Sequence, residues 1–136
     1  MTGQRATYKY FYYFNPNPIK TRETGDCSIR SLCVATNKSW LDVYDKLASI
    51  GRKNFTVMSD MGNIKEFLED EGFTPCKVTI KKGSRRPTMR DLIKQYPGKI
   101  IFGQCSSHVM CARNGKVMDI WDSSLRPLYK YWLKEE

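Results

Sequence analysis

Histidine is nearly missing from this chain: His108 stands alone among 136 residues. Acid is also scarce, with 14 Asp and Glu against 23 Lys and Arg, which leaves a net charge of +9. No apolar run approaches the ~20 residues of a membrane span, and the opening MTGQRATYKY lacks the apolar core of a secretion signal. These absences predict a cytoplasmic protein without a membrane partner. The five cysteines are odd in number and lack the dense, even spacing of a disulfide scaffold, so reduced thiols are expected. There is no internal repeat or low-complexity segment. The densest basic cluster, KKGSRR (Lys81 to Arg86), reads as an exposed loop with no helix-turn-helix, zinc-finger or RNA-recognition signature around it. The charge is therefore not assigned to specific nucleic-acid recognition.

What remains fits one domain, 1–136, with a single core. Residues 1–20 hold an aromatic run, YKYFYYF (Tyr8 to Phe14), which predicts an edge strand ended by NPNP. The helical half covers 26–72. Its first helix starts after Asp26 as N-cap, with Ile29, Leu32, Cys33 and Thr36 at helical spacing. The second opens on Ser39-x-x-Asp42 and buries Trp40, Val43, Tyr44, Leu47 and Ala48. The third runs from Asp60 to Glu71, with Met61, Ile64 and Leu68 inward and Gly72 at its end. Residues 76–132 are mainly sheet, apart from a helix started by Thr88-x-x-Asp91 and stopped by Pro97-Gly98. Strands are predicted in CKVTI (Cys76 to Ile80), KIIFGQ (Lys99 to Gln104) and PLYKYWL. A hairpin is predicted around Asn114-Gly115. The class is α+β, with N-terminal helices packed on an antiparallel sheet.

Within that outline, GDCSIRSLC (Gly25 to Cys33) places Cys27 at the first helical position. A helix N-terminus favours thiolate, although Asp26 opposes it, and an imidazolium neighbour would settle the matter. His108, at the start of the hairpin, is the only imidazole available. Counting outward from Asn114-Gly115 pairs Arg113 with Lys116 and His108 with Trp121. Asp119 then lies diagonally from His108 on the same face. Asp122 points to the other face unless the strand ends or bulges, while its place at the strand end favours it. Both remain candidates to orient the ring. The spacing C-x-x-H-x-x-C over Cys105 to Cys111 is a zinc pattern, but in one extended strand the cysteines face away from His108, so no metal is expected.

These motifs resemble the papain-like cysteine peptidase superfamily. GDCSIRSL is similar to its nucleophile helix, and SHVMCARNGKVMDIWDSS to its histidine strand followed by the strand of the third residue. The likeness is nearest to small papain-like proteins of phages and mobile elements, which share GDC-x-x-R, a W-x-x-x-Y helix (here Trp40 and Tyr44) and an ending H, D/N-G, D-x-W-D. It implies Cys27 as nucleophile, His108 as general base, and Asp119 or Asp122 as third member. The implied activity is cleavage of an amide, peptide or isopeptide bond in a protein or peptide substrate, without a cofactor. The glutamine that papain keeps six residues before its cysteine is Thr21 here, and the glycine of the cell-wall amidase branch is Ile29. From those departures and the charge comes a competing expectation: an inactive papain-like module that binds a host protein or nucleic-acid complex.

Overall fold

The computed structural model describes residues 7–19 and 25–136. Four helices, α1 (Cys27–Thr36), α2 (Trp40–Asn54), α3 (Met61–Asp70) and α4 (Met89–Gln95), combine with seven strands. The strands are β1 (Thr7–Tyr8), β2 (Phe11–Tyr13), β3 (Thr74–Lys77), β4 (Lys99–Cys105), β5 (His108–Arg113), β6 (Lys116–Asp119) and β7 (Lys130–Glu135). They form one sheet in the order β1-β2-β6-β5-β4-β7-β3. The α+β class holds, but the sheet is mixed, because β2 runs parallel to β6. No helix among the described residues is long and apolar enough to cross a membrane.

Helix ends follow their side chains. Ser39 Oγ accepts the Asp42 N–H at 3.1 Å, and Asp60 accepts that of Gly62 at 3.0 Å. Thr88 and Asp91 complete a reciprocal capping box at α4. The hairpin turn has φ of 55° at Asn114 and 75° at Gly115, the left-handed pair that a two-residue turn requires. Its first two pairs match the count from sequence, Arg113 opposite Lys116 and Ala112 opposite Val117; the pairing ends there, short of the counted His108–Trp121 pair.

Three expectations are corrected. The aromatic run is not one strand. It turns at Lys9–Tyr10, where the Tyr10 carbonyl accepts the Val117 N–H at 2.8 Å and delivers β2 to the side of β6. CKVTI is strand only through Lys77, and pairing begins earlier, at Thr74. Tyr44 is not core: it is exposed and stacks on Trp40 at 5.3 Å between centroids.

Side chains pack on both faces of the sheet. The larger cluster joins α1, α2 and α3 to Phe102, Val109, Cys111 and Trp132. The smaller one joins Met89 and Leu92 of α4 to Ile101, Met110 and Leu128. Helix α1 lies against β5 and is buried nearly all round, Arg30 and Ser31 included, where periodicity alone predicts a stripe. That central seat fixes the start of α1 beside the start of β5.

Candidate active site

Asp26 precedes α1, but its side chain does not cap the helix. Its carboxylate turns aside to accept Arg30 Nε at 2.8 Å on one oxygen, and Trp40 Nε1 at 2.9 Å and Asn17 Nδ2 at 3.0 Å on the other. The acid that opposes a thiolate in the linear sequence is thereby committed to a buried network. Cys27 begins the helix half-buried. Ser31 Oγ donates to the Val109 carbonyl at 2.9 Å and ties the next turn of α1 to β5.

His108 opens β5 directly after Ser107, whose φ of 57° turns the chain between β4 and β5. Its ring is hydrogen-bonded on two sides. Nε2 lies 2.8 Å from Asp119 Oδ2. With Nε2 so engaged, Nδ1 is the nitrogen left for the hydrogen bond between His108 and the Cys27 sulfur. Trp121 covers the ring, with centroids 4.8 Å apart.

Asp119 is almost wholly enclosed, and its carboxylate has four hydrogen-bond partners among the described residues. Oδ1 accepts Arg30 Nη1 and the Ile120 N–H, each at 2.7 Å; Oδ2 accepts His108 and, at 2.9 Å, Ser123 Oγ. Burial works to raise its pKa, yet the bond to His108, the imidazolium charge, the Ile120 amide and Arg30 together hold it below the usual carboxylate range. Asp122 is elsewhere: it accepts Arg90 Nη2 at 3.2 Å and caps Ser124. Of the two candidate acids, the fold brings Asp119 to His108 and leaves Asp122 with α4.

Charge at the centre follows from these partners. Burial alone would lower the His108 pKa, but bonds to Asp119 and Cys27 and the two negative charges raise it to about 9. Burial likewise works to raise the Cys27 pKa; the His108 hydrogen bond, the Val109 N–H, the imidazolium and Arg30 outweigh it and bring the thiol below its ordinary value. The other four cysteines all shift upward, chiefly through burial, with Cys33 pushed up to about 12. Only at Cys27 does the fold favour thiolate.

Cys105 and Cys111 do not share a face as a single extended strand would have them. The turn at Ser106–Ser107 puts Cys105 on β4, opposite His108, and the two thiols enter clusters on opposite sides of the sheet. Among the described residues no group of three His, Cys, Asp or Glu side chains is placed to hold a metal.

Cys27 and His108 line a cleft of about 280 Å³, walled by Met61 and Ile64 of α3 and by Gln104 and Val109 of the sheet. Through Gly25, Ser28 and Ser59 it adjoins an apolar groove of about 590 Å³ lined by Ile19, Trp40, Leu41 and Tyr44. Thr21, the position of papain's glutamine, lies outside the described residues. Arg30, Ser123 and Trp121 carry parts of the site that sequence reasoning did not assign. Arg30 had a signal, since it stands one helical turn after Asp26 in the spacing of an ion pair. Trp121 had the hairpin count, which set it opposite His108; Ser123 had only its nearness to Asp119. No family model, curated protein or solved structure matches the chain.

Proposed function

We propose that the protein is a papain-like cysteine hydrolase that cleaves amide bonds in protein or peptide substrates. The observation that carries this reading is convergence: a thiol, an imidazole and a carboxylate from α1, β5 and β6 meet in hydrogen-bonding sequence beside an open cleft. The Cys27 thiolate adds to the carbonyl carbon, a C–S bond forms, and the carbonyl electron pair moves to oxygen. As the first helical residue, Cys27 has an N–H with no acceptor within the helix, which supports its role as a donor to that oxyanion. Collapse expels the amine, which takes its proton from His108, and a thioester remains. His108 then accepts a proton from water as the hydroxyl adds, the C–S bond breaks with its electron pair on sulfur, and the acid leaves with restoration of the thiolate–imidazolium pair. Asp119 holds the ring throughout.

A binding module without catalysis would have no use for a thiol held below its ordinary pKa. Alkylation separates the two readings. At about pH 6 an ordinary thiol is well under ~1% ionised, whereas a thiolate–imidazolium pair is mostly ionised, at some loss of intrinsic nucleophilicity. The net expectation is a rate with iodoacetamide ~10-fold or more above free cysteine, confined to Cys27, absent in Cys27→Ser and abolished by His108→Ala. Slow, ordinary alkylation of Cys27 would instead support the binding module.

A further inference from the structure

We propose that the cleft selects acidic polypeptide segments, with substrate carboxylates lying along a cationic row that the strand ends carry away from Cys27; this rests on the amide-hydrolase reading and names its substrate class. Strand register supplies the row. Val109, Gln104, Lys130 and Lys77 are consecutive cross-strand partners over β5, β4, β7 and β3. Directly opposed residues share a face. Gln104 and Val109 line the cleft, so Lys130 and Lys77 extend the same line on the same face. Lys130 confirms the side by standing over the ring of Trp132, a member of the cluster beneath the helices, at 5.5 Å.

Two lysines directly opposed destabilise a sheet unless something negative lies between them. Among the described residues neither has a carboxylate partner. The far end of the same strands differs, because Lys99 is matched there by Glu135 at 3.0 Å. Arg126 repeats the pattern, with no carboxylate partner among the described residues. Its guanidinium donates to the Ser106 carbonyl at 3.1 Å and lies 5.8 Å from the centroid of Trp121, which itself covers His108. Asp60, in sequence between the cleft-lining Ser59 and Met61, is occupied in capping α3. Cations thus stand along the strands that lead from the cleft and beside the ring that covers His108. An acidic chain suits this surface better than a nucleic acid: of the exposed rings, Trp121 and Tyr129 each already have a guanidinium over one face, and Tyr44 is stacked on Trp40.

Two small alkylating agents read the local potential at Cys27 whether or not hydrolysis occurs. Iodoacetate carries a negative charge and iodoacetamide none. The ratio of their rates at Cys27 should exceed that for free cysteine. In Lys77→Gln/Lys130→Gln and in Arg126→Gln it should fall about threefold, with the iodoacetamide rate unchanged, and raised salt should erode the wild-type ratio in the same way. A short polyglutamate peptide should protect Cys27 from iodoacetamide where a polyglutamine peptide does not. A rate ratio indifferent to all three cations overturns the proposal, and so does protection by a short oligothymidylate but not by polyglutamate. Failure of the hydrolase reading has a different signature, ordinary iodoacetamide reactivity in the wild type.

Discussion

Two thiols on one ten-residue helix, Cys27 and Cys33, are driven in opposite directions. Both pay the penalty of burial; only Cys27 has a proton donor and two cations within reach. The difference is made by Asp119, which charges His108, and by Arg30, which bridges Asp26 and Asp119 with side chains 10% exposed or less. A buried pair of this kind is most informative when one member is removed, because the partner is stranded without solvent. Asp119→Asn should therefore destabilise the protein by ~2–4 kcal/mol and lower the iodoacetamide rate at about pH 6 at least ~10-fold, since His108 loses the charge that keeps it protonated. Asp122→Asn, whose hydrogen-bond partners among the described residues are Arg90 and Ser124, should stay within ~1 kcal/mol of wild type and keep its thiol reactivity. Chemical denaturation and alkylation on both variants check the assignment; the opposite ranking would transfer the orienting role to Asp122.

Among elements, close approach decides what local propensity cannot. Gly51 sits within α2, where alanine would be the better helix former by ~1 kcal/mol. A Cβ there would stand 2.9 Å from Met58 Cα and 3.0 Å from the Thr56 carbonyl oxygen, both backbone atoms. Gly103, in β4, would meet Met89 Cε at 2.8 Å, Leu128 Cδ2 at 3.0 Å and Met110 Sδ at 3.1 Å, all side-chain atoms. Methionine ends swing aside and a main chain does not. Gly51→Ala is expected to cost ~2–3 kcal/mol despite its propensity gain, and Gly103→Ala nearer ~1 kcal/mol, by urea denaturation. The same distinction explains what could be read in advance. Caps and the Asn-Gly turn are local chemistry, so the caps at Ser39 and Thr88, the helix start near Asp60 and the first pairs of the hairpin were legible in the sequence. The parallel pairing of β2 with β6, the break at Lys9–Tyr10 and the separation of Cys105 from Cys111 depend on partners distant in sequence or on a turn without a strong code. Asp26 misled for a related reason: its place before a helix suggests a cap, while its partners Trp40 and Asn17 come from other segments.

At the scale of the whole molecule, the catalytic pair leaves a mark on stability against pH. His108, raised from 6.5 to about 9, contributes stability that is complete below its unfolded value and fades as pH rises through about 9. Cys27, lowered from 9.0, contributes stability that is complete above its unfolded value and fades as pH falls through its folded one. Above the folded pKa of Cys27 and below about 9 these slopes oppose each other: the folded protein holds its proton on His108, and the unfolded chain holds one on the thiol. Each slope is at most ~1.4 kcal/mol per pH unit, so their cancellation is large enough to see by default. Cys27→Ser removes the thiol half and leaves His108 raised by Asp119 alone. Relative to wild type, the serine variant should then lose stability steadily as pH rises from 6.5 toward 9, by up to ~1–3 kcal/mol in all. Comparing the two proteins cancels the contribution of the four thiols they share, whose pKa values are raised in both. Thermal melts of wild type and Cys27→Ser across that interval test it directly. Parallel curves would mean that Cys27 and His108 do not exchange a proton in the folded state, and the thiolate mechanism would go with them.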